Sequence, residues 1–230
     1  MWNDKKKAIT FSFDDGCRRD EVVVRILNKY GLKATFNLNS ALLGTHFARD
    51  DNYKISPAEA AVLYKGHEVA AHTLSHPTLT LLPDDKTIAY QVEQDRLDLE
   101  KLVDEKVVGF AYPGNGDGEV FDDRIAKILA EQTGVRYART PLSSYDFEIP
   151  TDLYRLKPTV HLIDEKLFYL AEEFVNLKTD EPKLFFIWGH GFELDNGDGF
   201  DLGTFDVFCR YISDKKDIFY GTNAQVLLNK

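Results

Sequence analysis

Short apolar runs alternate along the chain with longer segments whose apolar residues return every three or four positions. KAITFSF, opening at Lys7, is a β-rich run, and DEVVVRILNKYGL follows it. There Val22, Val23, Ile26, Leu27 and Tyr30 recur at helical spacing, with Gly31 as a C-terminal stop. KATFNLN reads as a second strand. SPAEAAVLYKG reads as a short helix with Ser56 as N-cap, Pro57 in the first turn and Gly66 as the stop. HEVAAH is a third strand, and Asp85 to Val103 is a long amphipathic helix through Ile88, Val92, Leu97 and Leu99. VVGFAYP is the fourth strand, followed by a helix from Asp122 to Glu131. VRYAR, YRLKPT and KLFFIW read as strands, with a helix from Asp164 to Leu177 before the last of them. A helix from Leu202 to Ser213, the strand IFYGT and a short terminal helix complete the pattern.

Strand and helix alternate with no linker, repeat or low-complexity tract, so residues 1–230 read as a single domain. Such alternation predicts an α/β fold, a mostly parallel sheet covered by helices. Seven or so strands leave two candidates, a smallish (β/α) barrel or an open sheet. In both, active residues belong at the C-terminal ends of strands.

The residues just past those ends are not ordinary. After the first strand come Asp14 and Asp15, and after the third His72 and His76. The turn Tyr112–Pro113–Gly114–Asn115–Gly116 follows the fourth, Arg139 the fifth, and His190 follows KLFFIW. Three of the chain's six histidines thus share these positions with an aspartate pair. His72 and His76 are four apart, the spacing that sets two imidazoles on one side of a helical turn. Catalytic zinc takes three protein ligands from His nitrogens and carboxylate oxygens and keeps one position open; two histidines and one aspartate meet that need.

Composition narrows the functional classes. The chain is 43% hydrophobic and 13% aromatic, enough for a proper core. Its formal charge of −10, with no basic stripe, argues against nucleic acid as a partner. The two cysteines, Cys17 and Cys209, form neither a disulfide framework nor a CxxC site. No segment approaches the ~18 consecutive apolar residues of a membrane helix. The N-terminus lacks a secretory h-region, so the expectation is a soluble protein, cytoplasmic as written, or secreted or periplasmic if a leader has been trimmed. Oligomeric state leaves no signature.

These motifs resemble the polysaccharide deacetylases, the NodB-like fold of carbohydrate esterase family four. That family's TFDDG resembles TFSFDDG at Thr10 to Gly16, with a longer gap between Thr and the pair. Its H-[ST]-x-x-H is matched in full by His72-Thr73-Leu74-Ser75-His76. Its R-x-P-[FY]-G is matched in part by FAYPGNG, and its L-x-x-H resembles Ile187-Trp188-Gly189-His190. The resemblance implies a distorted (β/α) barrel and metal-dependent removal of acetyl groups from a carbohydrate, N-acetyl favoured over O-acetyl. It implies Asp15, His72 and His76 as ligands of one divalent metal, zinc first, with cobalt, nickel or manganese also suited to the donor set. Asp14 would be the base acting on metal-bound water and His190 the acid that protonates the leaving group. A backbone N–H in the turn Ala111 to Gly114 would stabilise the tetrahedral oxyanion.

The match is incomplete. The third-motif Arg, which orients the base, corresponds to Ala111, and the aromatic after Pro113 is Gly114. Arg139 is the candidate substitute. The family's fourth motif, with Asp and Trp, has no counterpart in RTPLSSYDFEIPTDLYRL; Asp146 and Glu193 are the candidate supports for His190. Tyr112, Pro113, Gly114, Arg139, His161 and Trp188 are candidate substrate contacts, with Phe192 beside them, while His46 and His67 read as loop residues. Two rival functions share the pattern: a same-fold hydrolase acting on a non-peptide C–N bond of a small molecule, and an inactive sugar-binding homologue.

Overall fold

The computed structural model describes residues 2–46, 53–114, 119–195 and 200–228. Among the described residues eight strands form one sheet: β1 (Lys7–Asp14), β2 (Ala34–Leu38), β3 (Glu68–Ala71), β4 (Gly109–Ala111), β5 (Tyr137–Arg139), β6 (Val160–His161), β7 (Lys183–His190) and β8 (Ile218–Tyr220). Every pairing is parallel, in the order β5-β4-β3-β2-β1-β7-β6. β7 pairs with β1 along its whole length; the other edge of β1 is shared, by β8 at Lys7–Ile9 and by β2 at Phe11–Asp14. The sheet curls into the distorted barrel that the family resemblance implies, the first of the two architectures the alternating pattern left open.

Seven α-helices among the described residues cover it: α1 (Asp20–Lys29), α2 (Pro57–Leu63), α3 (Asp85–Val103), α4 (Asp123–Gln132), α5 (Leu167–Asn176), α6 (Leu202–Ile212) and α7 (Asn223–Leu227). Their starts are set by side chains. Asp84, Asp122 and Asp201 each accept the N3 amide, and Ser56 with Glu59 closes a capping box on α2. α5 begins at Leu167, three residues later than the apolar pattern predicts. Asp164 closes a turn first, accepting from Leu167 N (3.0 Å) through its carbonyl and from Lys166 N (2.8 Å) through its carboxylate.

The YRLKPT segment is also displaced. It is no continuous strand: Leu156 bridges to Arg139, the chain turns at Pro158, and β6 is the two residues Val160–His161. Proline offers no N–H and restricts the residue before it, which interrupts a ladder there. The segment still spans the open side of the barrel. Thr140 N–H donates to Leu156 O (2.8 Å) on one side, and Thr159 N–H to Phe186 O (2.7 Å) on the other.

Strand alternation sorts the residues of β1. Ile9, Phe11 and Phe13 face outward into the helix-covered core, where Phe13 stacks on Phe36 and meets Phe205 edge-on. Each such ring removed from water contributes roughly 1.5–3 kcal/mol. Ala8 faces inward, into a second cluster with Trp2, Tyr137, Leu184, Phe186 and Leu227 that fills the barrel floor. Above that floor the interior turns polar. Thr10 bonds Asn223 (2.9 Å), Asn37 bonds Ser12 (2.8 Å), and the same alternation carries Asp14 to the mouth.

Candidate active site

Asp14 is the last residue of β1, and Asp15 leaves the strand with φ 80°, followed by Gly16 at φ 62°. A left-handed turn sends the two carboxylates different ways. Thr73 (φ 67°) and His76 (φ 59°) are left-handed as well. Such backbone is costly for non-glycine residues and persists only where its surroundings impose it. They impose it here. Thr73 Oγ1 accepts from His76 N (3.0 Å), Leu74 N donates to Gln91 O (2.8 Å), and Asn39 Nδ2 donates to the carbonyls of His72 (2.6 Å) and Thr73 (2.9 Å). His72 and His76 therefore lie on a constrained loop, not the helical turn their spacing suggests, and their ring centroids are 4.9 Å apart.

Asp15, His72 and His76 each bring a ligand atom within 4.8 Å of the others. His72 Nδ1 lies 2.9 Å from the Ala111 carbonyl, which can only accept. Nδ1 therefore carries the proton and Nε2 presents a lone pair, the arrangement a metal-binding histidine needs. Burial pushes the His72 imidazole down to about 4, only partly opposed by Asp14, so it is neutral. Burial acts against the charge of Asp15, but Lys54 and the nearby histidines outweigh it and hold the carboxyl well below its ordinary range. Two histidines and an ionised carboxylate fit a divalent metal.

Asp14 and His190 are register partners on β1 and β7. The Arg139 guanidinium donates through Nη2 to both oxygens of Asp14, and Asn37 Nδ2 adds a bond of 2.7 Å. Burial would raise Asp14; Arg139, His72 and His190 more than offset it, so the group stays ionised. Opposite, Glu193 Oε1 stands 3.1 Å from His190 Nδ1, as an ion pair rather than an aligned hydrogen bond, and 3.3 Å from His161 Nε2. Its other oxygen accepts from His190 N at 2.8 Å. Burial would lower His190, but Glu193, Asp14 and Asp15 raise it to about 9.

A model of the polysaccharide deacetylase family matches residues 2–146. The chain belongs to that family. No curated protein matches it. Among solved structures it is similar to a mutant of BA3943, a CE4 family pseudoenzyme from Bacillus anthracis, with restored enzymatic activity (TM-score 0.61, 20% identity, 96% of this chain and 68% of that one). It is also similar to the peptidoglycan deacetylase PdaC from Bacillus subtilis (0.56, 20%, 96% and 90%). A family 4 carbohydrate esterase from Streptomyces lividans in complex with acetate scores 0.57 at 14% identity, over 95% of this chain and 92% of that one. Identities this low speak for the fold alone.

Within this deacetylase fold the supporting residues come from unexpected places. Ala111 and Arg139 are register partners on β4 and β5, so the arginine on Asp14 stands one strand over from the family's position. Asp146 is exposed and bonds only locally through its own turn, whereas Glu193, from the 3-10 turn after β7, reaches His190. Further contributors, Asn37 on Asp14 among them, escaped the sequence reading. Lys54 Nζ donates to Asp15 O (2.8 Å), Asp15 Oδ1 (3.1 Å) and Asn39 Oδ1 (2.9 Å). Asn39 braces the His72 loop, and the carboxylate of Asp95 on α3 accepts from His72 N (2.9 Å) and Ser40 N (2.6 Å). The one available signal was a polar residue on a core-facing helical position, Asp95 between Val92 and Leu99.

The candidate substrate contacts divide. Gly114 and Trp188 line a cavity of about 1100 Å³ beside the site, with Val120, Phe121, Pro141 and Leu142. Tyr112 does not face it: the ring is 1% exposed, packs on Phe110 and Phe121, and its hydroxyl donates to Tyr154 O (2.9 Å). Pro113 is buried too. Arg139 is fully buried behind Trp188, its guanidinium 4.7 Å from the indole, which excludes a substrate contact in this arrangement. His161 ends β6, packs on Trp188 and pairs with Glu193. Phe192 lies against His190, centroids 4.8 Å apart. His67 is buried between β2 and α1, accepting from Ala34 N (3.2 Å), while His46 packs on Tyr53 in a surface bridge. In the turn after β4, the Tyr112 N–H is committed to Arg139 O (2.9 Å) and Pro113 has none, leaving Gly114 as the donor beyond the strand. Asn115 and Gly116 lie outside the described residues.

Proposed function

We propose that the chain is a metal-dependent hydrolase that removes acetyl groups from a carbohydrate, with N-acetyl favoured over O-acetyl. One observation carries the reading: a three-ligand cluster of Asp15, His72 and His76 within 4.8 Å, with Asp14 and His190 at adjacent strand ends beside it. A divalent metal held there, zinc first and cobalt, nickel or manganese next, would supply Lewis acidity, lowering a water's pKa toward about 7 and polarising the acetyl carbonyl.

The chain's own residues perform the rest. Asp14, kept ionised by Arg139, accepts a proton from the attacking water at its carboxylate. The Gly114 N–H is the candidate donor to the developing oxyanion; loss of one such donor typically costs ~2.7–4 kcal/mol. His190, raised to about 9 by Glu193 and the aspartates against its burial, holds a proton at neutral pH and delivers it to the leaving atom. An amine cannot leave without that proton, whereas an alcohol depends on it less, and this favours N-acetyl. Trp188 at the cavity wall offers an aromatic face for a sugar ring.

The test joins metal analysis to acetate release over a panel of acetylated glycans. Purified protein is expected to carry about one divalent metal and to lose activity on chelation. Asp14→Asn keeps the metal and loses acetate release; His76→Ala loses both. A fully active Asp14→Asn enzyme would remove Asp14 as the base. Sugar binding without acetate release by the metal-loaded protein would replace the hydrolase reading with a binding one.

A further inference from the structure

The two adjacent carboxylates of the site do not share a counter-ion. Arg139 sits on Asp14, and a second cation, Lys54, sits on Asp15. Lys54 is 3% exposed, and its ammonium contacts the oxygen that also lies 3.7 Å from His76 Nε2. It is delivered there by backbone pairing: Cys17 and Lys54 form an antiparallel bridge, and Ile55 N–H donates to Gly16 O (2.8 Å). The residue is thus carried by the turn that displays Asp15.

We infer that Lys54 is a resident counter-cation of the Asp15–His72–His76 site, and that its charge holds down the site's affinity for a divalent metal. Before any metal arrives, Asp14 with Arg139 and Asp15 with Lys54 form two ion pairs whose charges cancel. A dication then enters a site already neutralised, beside a fixed like charge on one of its own ligand oxygens. At a few ångströms in a partly buried site, such a repulsion outweighs ordinary surface electrostatics. The opposite effect, that Lys54 helps by orienting Asp15, is the weaker one here. Asp15 is also held by its own N–H on Asn37 O (3.0 Å), and the two Nδ2 bonds of Asn39 to the His72 loop do not pass through Lys54.

The inference rests on the metal reading above, and the experiment separates the two. Zinc is titrated calorimetrically into metal-stripped full-length protein, wild type and Lys54→Met, with melting curves on the same samples. Wild type is expected to take up one zinc. Lys54→Met is expected to bind it on the order of tenfold more tightly, with a larger rise in melting temperature on zinc addition. Equal or weaker binding by folded Lys54→Met overturns the inference while leaving the metal reading intact. No zinc uptake by wild type overturns the metal reading itself. If Lys54→Met folds only in the presence of zinc, the inference stands, since the metal then supplies the missing charge. A chain that stays unfolded with zinc present overturns it, because the fold itself would need the lysine.

Discussion

Replacing Arg139 with methionine tests how Asp14 is kept ionised. Arg139 is 0% exposed and Asp14 2%, and Nη2 bonds both carboxylate oxygens. Methionine retains most of the stem that packs under Trp188 but leaves Asp14 with Asn37 as its side-chain partner. Removing one member of a buried ion pair typically costs ~3–5 kcal/mol, most of it the price of an unpaired charge. The sign with pH follows from the two pKa directions. In wild type the folded Asp14 lies below its ordinary 3.8, so its contribution is present above that value and lost as pH falls through the folded pKa. In Arg139→Met, burial acts without its main opponent and the folded pKa rises above 3.8, so stability is lost as pH rises. The deficit relative to wild type should therefore already be present near about pH 4, where the wild-type contribution is in place, and should grow further by about pH 7.5. Urea unfolding of the metal-free proteins at both pH values measures it. Acetate release by the loaded variant should fall sharply near neutrality. An equal deficit at both pH values, or unchanged activity, would refute the assignment of Arg139 to Asp14.

Glu193→Gln removes the charge beside both His190 and His161; His190 should drop from about 9, moving the alkaline limb of the pH–rate profile to lower pH with little change in KM. An unmoved alkaline limb would show that Glu193 does not tune the acid. Gly189→Ala places a methyl 2.7 Å from Leu162 Cβ and 3.0 Å from Glu193 Oε2, so it should cost ~1–3 kcal/mol in a thermal melt and shift the profile in the same direction as Glu193→Gln.

Most of the barrel was legible because its determinants are local. Apolar periodicity placed α3 at its observed bounds, and Ser56 announced the α2 start that the structure keeps. What failed locally was decided by pairing across the fold. YRLKPT has strand composition, but its length is shared between a bridge to β5 and a pairing to β7, with Pro158 between. His72 and His76 have helical spacing, but Asn39, Gln91 and Asp95 hold their loop from three other places in the chain. Strand-end logic brought Asp14, Asp15, His72, His76 and His190 to one mouth. It misplaced Tyr112, whose side chain turns under Phe121 instead of into the cavity. Lys54 was invisible because it reaches the site from a bridge between loops, where sequence distance from Asp15 carries no information.

The absence of the third-motif arginine is poor grounds for reading the site as inactive. Parallel strands in register hold their C-terminal residues at one height, so Ala111 and Arg139 are equivalent in level and differ by one strand spacing, ~4.8 Å. A guanidinium on a long side chain covers that difference, and the pairing with Asp14 is made from β5 instead of β4. The same reasoning applies to His190, whose carboxylate partner arrives from the turn that follows it instead of from an earlier strand. A motif records which residue supplies a charge, but the chemistry requires only that the charge stand in a given place. In this chain the places beside Asp14, Asp15 and His190 are all filled, each by a separate buried or half-buried group. The aspartate pair is therefore tolerated by two fixed cations already present in the protein, and a metal is not needed to relieve it.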